Sequence, residues 1–389
     1  MGFYSPFSAG RVNREEVAMN HVRYVTRLSQ VGALKNLPEA ERRKMLQVEE
    51  RYAFRSNEYY NSLIDWNDPA DPIRRIVIPD KDELQPWGQL DASGEHNYAK
   101  VPGLEHKYAD TALLLVSDVC GGLCRFCFRK RLFMRDNKEV CRDVSEGLDY
   151  IRKHPEINNV LLTGGDPLLL ATSKLKEIIG QLRDIDHVRI VRIGSKMPAF
   201  NPFRILNDPD LLQMFRTYSR PRRRIYLMAH FNHPRELTEE AIRALTLVKE
   251  AGVCIMNQTP LIRGVNDRPD TLSRLFNTLS YIGVAPYYVF QCRPTKGNAA
   301  YTVPIEEGYE IFAAAIRKCS GLARRCRFTM SHVTGKVEVA GLTEDQIFFR
   351  YHRPANPEQD PGEIIACDRN PQGYWLDDYL DSLTSQACA

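Results

Sequence analysis

The sequence predicts an α/β fold built on a parallel sheet, and three features of its middle stretch predict it. Short apolar runs recur without polar alternation, a helical pattern follows each, and polar or glycine-rich residues gather just after the runs. The runs are Ala112–Val116, Val160–Leu162, Val188–Ile193, Ile225–Met228, Val253–Met256 and Tyr287–Phe290. Helical patterns follow at Asp143–Lys153, Lys174–Asp184, Glu239–Ala251, Thr271–Ile282 and Ile305–Lys318. Six such units suit a curved, incomplete barrel as well as a flat doubly wound sheet, and periodicity alone does not separate the two.

Ahead of the sheet, Val17, Val22, Val25 and Leu28 predict a helix between Asn13 and Gln30. A second, charged helix fits Pro38–Tyr52. Trp66–Pro79 breaks the pattern with Asn67, Asp68, Pro69, Asp71 and Pro72, and reads as a linker or extended arm. No internal repeat or low-complexity tract interrupts the chain.

Composition bounds the function. The chain has 389 residues, 43% hydrophobic and 26% charged, the balance of an ordinary globular protein. A net charge of +4 is too small to argue for nucleic acid. Basic residues cluster locally at Arg125–Arg131 and at Arg220–Arg224, the second reading as a solvated loop. No apolar stretch approaches the ~20 residues that cross a bilayer, and Met1–Arg11 lacks the pattern of a signal peptide. A cytoplasmic protein without membrane or nucleic-acid partners is the expectation. There metal or redox chemistry explains clustered cysteines better than disulfides do. Only three of the ten cluster; Cys141, Cys254, Cys292, Cys319, Cys326, Cys367 and Cys388 read as small apolar residues.

The strand ends carry the chemistry: Ser117–Cys120, Thr163–Pro167, Gly194–Lys196, Ala229–His233, Asn257–Pro260 and Gln291–Arg293. In parallel α/β folds that edge binds ligands. Cys120, Cys124 and Cys127 lie on the first of these loops, and soft thiolates favour iron–sulfur or zinc. A structural zinc site closes with four protein ligands, and no fourth cysteine or histidine stands at short spacing. A four-iron cluster on three cysteines leaves one iron open for a reactant. One unit later, Thr163-Gly-Gly-Asp-Pro167 offers backbone N–H groups and one carboxylate, which is also the composition of a common turn.

The cysteine spacing, with Phe126 before the third cysteine, resembles the signature of the radical S-adenosylmethionine superfamily. Further stretches resemble its lysine 2,3-aminomutase family: Ser62–Pro69, Asp71–Arg74, Val101–Leu104, Arg192–Ser195, His230–Pro234, Gly264–Asp267 and Pro286–Tyr288, in the family's order over roughly residues 55 to 350. The resemblance implies an incomplete (β/α)6 barrel at 110–300, after a helical segment and arm at 1–109 and before a cofactor-binding extension at 301–389.

It also implies three cofactors. A [4Fe-4S] cluster on the three cysteines would bind S-adenosylmethionine, with Gly164, Gly165 and Asp166 at its amino group. Ser195, His230 and Gln258 join cofactor binding. Pyridoxal 5'-phosphate would be held covalently by Lys336, in Ser331-His-Val-Thr-Gly-Lys336, with Lys107, Tyr108 and His332 near the phosphate. The run before Lys336 has one glycine where the family has several, and a second basic phosphate position of the family is Thr111 here. Arg129 would clamp the substrate carboxylate, since a guanidinium fork fits one.

Lysine-using members carry aspartates where this chain has Arg293 and Ser331. A cation facing a buried ammonium tail costs several kcal/mol, so an acidic amino acid such as glutamate or aspartate is the expected substrate. If Arg293 points away, a neutral one is. Arg268 replaces the family's zinc-partner cysteine and the tail has only Cys367 and Cys388, so no zinc is expected. The expected function is a 2,3-aminomutase, an isomerase of a free amino acid. An electron donor such as flavodoxin or ferredoxin and a homo-oligomer are expected by analogy. The alternatives are the same radical machinery with deamination, dehydration or protein-lysine modification, and a cluster-binding sensor without turnover.

Overall fold

Alternating burial along the central strands dictates a sheet with helices against one face and a chamber at the other. The computed structural model describes residues 22–134, 139–141 and 143–380. Two short strands, β1 (Tyr24–Val25) and β2 (Ser56–Asn57), pair antiparallel apart from the main sheet. The main sheet has twelve strands in sequence order. They are β3 (Ala99–Val101), β4 (Leu104–Tyr108), β5 (Thr111–Ser117), β6 (Asn159–Gly164), β7 (Ile190–Ser195), β8 (Ile225–Ala229), β9 (Cys254–Pro260), β10 (Ala285–Phe290), β11 (Arg327–His332), β12 (Gly335–Leu342), β13 (Gln346–Pro354) and β14 (Ile364–Asp368).

All six expected strands are present, as β5 to β10, and they run parallel. β11 continues the parallel set on β10. Antiparallel strands flank it, β3 and β4 on one side and β12 to β14 on the other. The described edges β3 and β14 do not pair with each other, so the barrel is partial.

On one face Val160, Leu162, Val191, Ile193, Ile225, Leu227 and Ile255 meet Leu175, Ile178, Ile179 and Leu182 of the helix Thr172–Arg183. Leu272, Leu275, Phe276 and Leu279 of the helix Pro269–Tyr281 join the same core. Fully burying each such side chain is worth about 1.5–3 kcal/mol. By the two-residue pleat, Thr163, Arg192 and Gln258 alternate with these residues and face the concave side. Cross-strand register sets Tyr288 beside Gln258 and Arg327.

The amino-terminal part differs from expectation. Of the helix expected at Asn13–Gln30, residues 13–21 lie outside the described residues, and the rest is β1 and a short 3-10 turn at Leu28–Gln30. Val25 and Leu28 are buried with Val31 and Leu34, and pairing of β1 with β2 wins over a helix. The second helix forms at Glu39–Arg51, with acids in its first turn and a base in its last. Within the expected arm Trp66–Pro79, Pro72–Val77 is helical. Asp71 caps it, accepting from the Ile73 and Arg74 N–H groups at 2.8 Å, so the Asp-Pro pair starts a helix there. In the Arg220–Arg224 loop, Arg222 is exposed while Arg223 donates to the Ile185 carbonyl at 2.8 Å. Among the described residues no helix is long and apolar enough to cross a membrane.

Candidate active site

The cysteine loop leaves the end of β5 and is pinned from outside the barrel. The Arg125 N–H donates to the Ile76 carbonyl at 2.8 Å, and the Leu123 N–H to the Arg55 carbonyl at 2.8 Å. Asn57 Nδ2 donates to the Gly121 carbonyl at 3.0 Å. Beneath the loop, the fully buried Arg125 guanidinium grips Glu83 at 2.9 and 2.8 Å. Lys130 Nζ at 3.2 Å and the Tyr301 hydroxyl at 3.1 Å also meet that carboxylate. Burial pushes the Glu83 carboxyl up, but Arg125 and Lys130 outweigh it and hold it below the usual range.

Cys120, Cys124 and Cys127 are free thiols in this loop. Burial pushes Cys124 up to about 12 and raises the other two, and the neighbouring thiols add to the rise at Cys120. Three enclosed thiols that oppose one another's ionisation form a donor set suited to a strongly cationic group. Among the described residues no three His, Cys, Asp or Glu side chains converge on a point for a single metal ion. A multi-iron cluster takes its thiolates at separate corners, so the donor set fits one.

The turn after β6 packs against this loop. The Gly165 N–H donates to the Ser117 carbonyl at 2.5 Å and the Asp166 N–H to the Val119 carbonyl at 2.8 Å. A Cβ at Gly165 would stand 2.5 Å from the Val119 oxygen, so glycine is required at this close approach. Gly164 sits at positive φ beside it. The buried Asp166 carboxylate accepts from the Lys196 N–H at 2.8 Å and the Leu168 N–H at 3.0 Å. Burial pushes its carboxyl up to about 6. Ser195 Oγ accepts from the Met197 N–H at 3.0 Å. The His230 ring lies edge-on to Phe126, 6.4 Å between centroids, and burial keeps it neutral. Gln258 lies half-buried on β9.

Two residues past Cys127, Arg129 donates through Nε and Nη2 to Glu95 at 3.1 and 2.9 Å, and through Nη1 to Thr163 at 2.9 Å. Glu105 lies 3.6 Å from the same guanidinium. Arg131 reaches Glu95 at 2.7 Å, and Arg293 reaches it at 3.5 Å. Against its burial, Arg129, Arg293 and Arg131 hold the Glu95 carboxyl well below the usual range. Burial and the charge of Glu95 push Glu105 up to about 7. The Arg293 guanidinium carbon lies over the Phe128 ring, 3.7 Å from its centre.

The lysine end sits on the hairpin from β11 to β12, where Ser331 pairs with Lys336. Gly335 has φ near +147°, and a Cβ there would meet the Arg353 carbonyl at 2.5 Å. Lys336 Nζ lies 4.3 Å from the Tyr288 ring centre and 4.9 Å from that of Phe290. Burial, then the charges of Arg192, Arg293 and Lys107, bring its amine down to about 7. Lys107 donates to the His332 carbonyl and lies over the Tyr98 and Tyr108 rings. Arg353, from β13, stacks on Tyr108 at 4.3 Å, donates to Thr111 at 3.0 Å and pairs with Asp110. A cation from the carboxyl-terminal sheet thus stands where Thr111 left one missing. An amine that loses its proton near neutrality, among cations and aromatic rings, fits an aldehyde cofactor with an anionic tail.

The structure therefore brings Lys107, Tyr108, Arg129, Arg293 and Lys336 to one chamber. It does not bring the His332 ring there. That ring hydrogen-bonds Thr334 at 2.7 Å and meets Asp377 at 3.2 Å, lining an outer cleft with Trp87, Tyr374 and Trp375. Ser331 is held through its carbonyl by Ser93 at 2.9 Å. Glu95, Glu105, Arg192 and Arg353 were missed. Arg192 alone had a signal, a cation inside the apolar run Val188–Ile193.

Comparison with known proteins follows the same lines. The family model described as the Radical SAM superfamily matches residues 114–275. A protein of Aquifex aeolicus (strain VF5) named "Putative L-lysine 2,3-aminomutase" is 61% identical over 349 residues, covering 90% of this chain and 93% of its own. L-lysine 2,3-aminomutase of Clostridium subterminale is 42% identical over 266 residues, 68% of this chain and 62% of that protein. Glutamate 2,3-aminomutase of Clostridioides difficile (strain 630) is 32% identical over 301 residues, 77% of this chain and 70% of that one.

Proposed function

We propose, for a chain that belongs to the lysine 2,3-aminomutase family of radical S-adenosylmethionine isomerases, a pyridoxal-phosphate-dependent migration of the amino group of a free acidic amino acid from C2 to C3. The observation that carries the reading is the charge of the chamber between Cys127 and Lys336. Arg129, Arg131 and Arg293 converge on Glu95, the two further carboxylates Glu105 and Glu139 already face Arg129 at 3.6 Å and Arg131 at 2.7 Å, and Arg192, Arg293 and Lys107 bear on Lys336. No carboxylate there is left over for an ammonium tail, whereas anions are favoured.

When bound, the cluster with S-adenosylmethionine supplies a hydrogen-abstracting radical, and pyridoxal phosphate supplies a carrier for the amino group. Cys120, Cys124 and Cys127 would hold the cluster. The Gly164–Asp166 turn, with Ser195, His230 and Gln258 on neighbouring strand ends, would hold S-adenosylmethionine. Lys336 offers a neutral amine near pH 7 and would hold the pyridoxal carbon. Lys107, Tyr108 and Arg353 would take its phosphate. Arg129 would orient the α-carboxylate and Arg293 the side-chain carboxylate. The walls of Tyr288, Phe290 and Phe128 exclude water around these charges.

The test is a panel of free amino acids offered to the anaerobically reconstituted, reduced enzyme. Glutamate should give 3-aminoglutarate, read by chromatography. Aspartate is uninformative by product identity, because moving its amino group regenerates aspartate. Isomerisation of lysine with none of glutamate would overturn the assignment of Arg293.

A further inference from the structure

Arg129 and Arg293 are held together by two devices that substrate binding does not require. The first is Glu95 Oε1, which accepts from Arg129 Nη2 at 2.9 Å and faces Arg293 Nη1 at 3.5 Å. The second is the Phe128 ring, which lies under both guanidiniums, 5.0 Å from that of Arg129 and 3.7 Å from that of Arg293. The shared oxygen caps how far apart the two guanidiniums can stand, and both pack over one ring.

Their donors are unequally engaged. A guanidinium has five N–H donors. Glu95 takes the Nε/Nη2 side of Arg129 and Thr163 one Nη1 proton, which leaves a second Nη1 proton unengaged and a second Nη2 proton facing Glu105 at 3.6 Å. Arg131 is neutralised a second time, by Glu139 at 2.7 Å. Among the described residues the ion pair of Arg293 is with Glu95 alone, at the longest distance of the three. Both guanidiniums therefore keep donors for a ligand, and the shared Glu95 oxygen holds them near each other.

We propose that Glu95 is a positioning residue that holds Arg129 and Arg293 close together, and thereby biases the site toward short diacids, such as the five-carbon chain of glutamate, over longer ones. This rests on the acidic-substrate reading above. A carboxylate that bridges two guanidiniums limits how far they can part, and a pocket of fixed length discriminates a methylene by about 1–3 kcal/mol.

The experiment is calorimetric titration of the reconstituted holoenzyme with glutarate, adipate, pimelate and the monocarboxylate valerate. In the wild type glutarate should bind at least about tenfold more tightly than pimelate or valerate. In Glu95→Gln, which loses the charge but keeps the size, the glutarate-to-pimelate ratio should fall below about threefold. A residue that merely supported the fold would weaken all four ligands together and leave that ratio unchanged, and that result overturns the inference. If no diacid outbinds valerate in the wild type, the acidic-substrate reading itself fails. Should Glu95→Gln not fold by circular dichroism, Glu95→Asp, one methylene shorter, should shift the preferred length. A wild-type profile flat from glutarate to pimelate refutes the inference without any variant.

Discussion

Lys336 gives the sharpest quantitative expectation. An ordinary lysine, with pKa near 10.4, is neutral in roughly one molecule in 2,500 at pH 7. An amine brought to about 7 is neutral in about half. The reactive population rises by a factor on the order of 10³, and capture of pyridoxal phosphate should rise with it. The assay is capture by the apoprotein across pH 5–10, followed by visible absorbance and fixed by borohydride as a mass increase on Lys336. The midpoint should lie near 7 and move upward in Arg192→Gln, which removes one of the charges that lower it. A stability measurement gives an independent check. The folded amine keeps its proton only below about 7 and the unfolded one up to about 10.4, so the cost of burying the charge is full below 7 and is relieved as pH rises between the two. Lys336→Met should melt above the wild-type apoprotein at pH 6, and the gain should fade toward pH 10. A capture midpoint near 10 would refute the reasoning.

Three further outcomes follow from the geometry. Glu83→Gln strips the charge that Arg125 and Lys130 share beneath the cysteine loop, and should cost about 3–5 kcal/mol in chemical denaturation of the apoprotein; a loss under about 1 kcal/mol contradicts the network. Gly165→Ala places a methyl 2.5 Å from the Val119 oxygen, and should cut iron bound per chain after anaerobic reconstitution by more than half. Arg353→Ala should weaken pyridoxal phosphate about tenfold or more, while leaving pyridoxal, which lacks the phosphate, unchanged. Equal weakening of both would remove Arg353 from the phosphate site.

What could be read in the sequence was what is local in it. The cysteines fall within eight residues, and each parallel strand announces itself by a short, mostly apolar run followed by a polar or glycine-rich end. Glu95 could not be read. It is one glutamate in a polar stretch, and its partner Arg129 lies 34 positions on. Arg353 meets Thr111 across 242 positions, through strand pairing that periodicity does not encode. β11 to β14 were not resolved because polar residues such as Thr329, Glu338 and Arg350 interrupt their apolar pattern. The Asn13–Gln30 pattern misled because Val25 and Leu28 serve a turn as well as a helix, and pairing with β2 decided between them. Arg293 stands beside Arg129 as a second cation, yet its charge is shared with Glu95, which no pattern revealed.

The hydrogen bonds that fasten the cysteine loop to Arg55, Asn57 and Ile76 also impose an order on the birth of the enzyme. Those residues leave the ribosome before Cys120, but Phe200, Ile262 and Tyr301, which close the same core, leave it after. The hairpin bearing Lys336 emerges more than two hundred residues later. The half of the site that meets iron is therefore fully packed only once the chain has passed Tyr301, shortly before Lys336 itself is made. A fragment cut to the matched stretch 114–275 would lack both the cradle of the first half and the whole of the second.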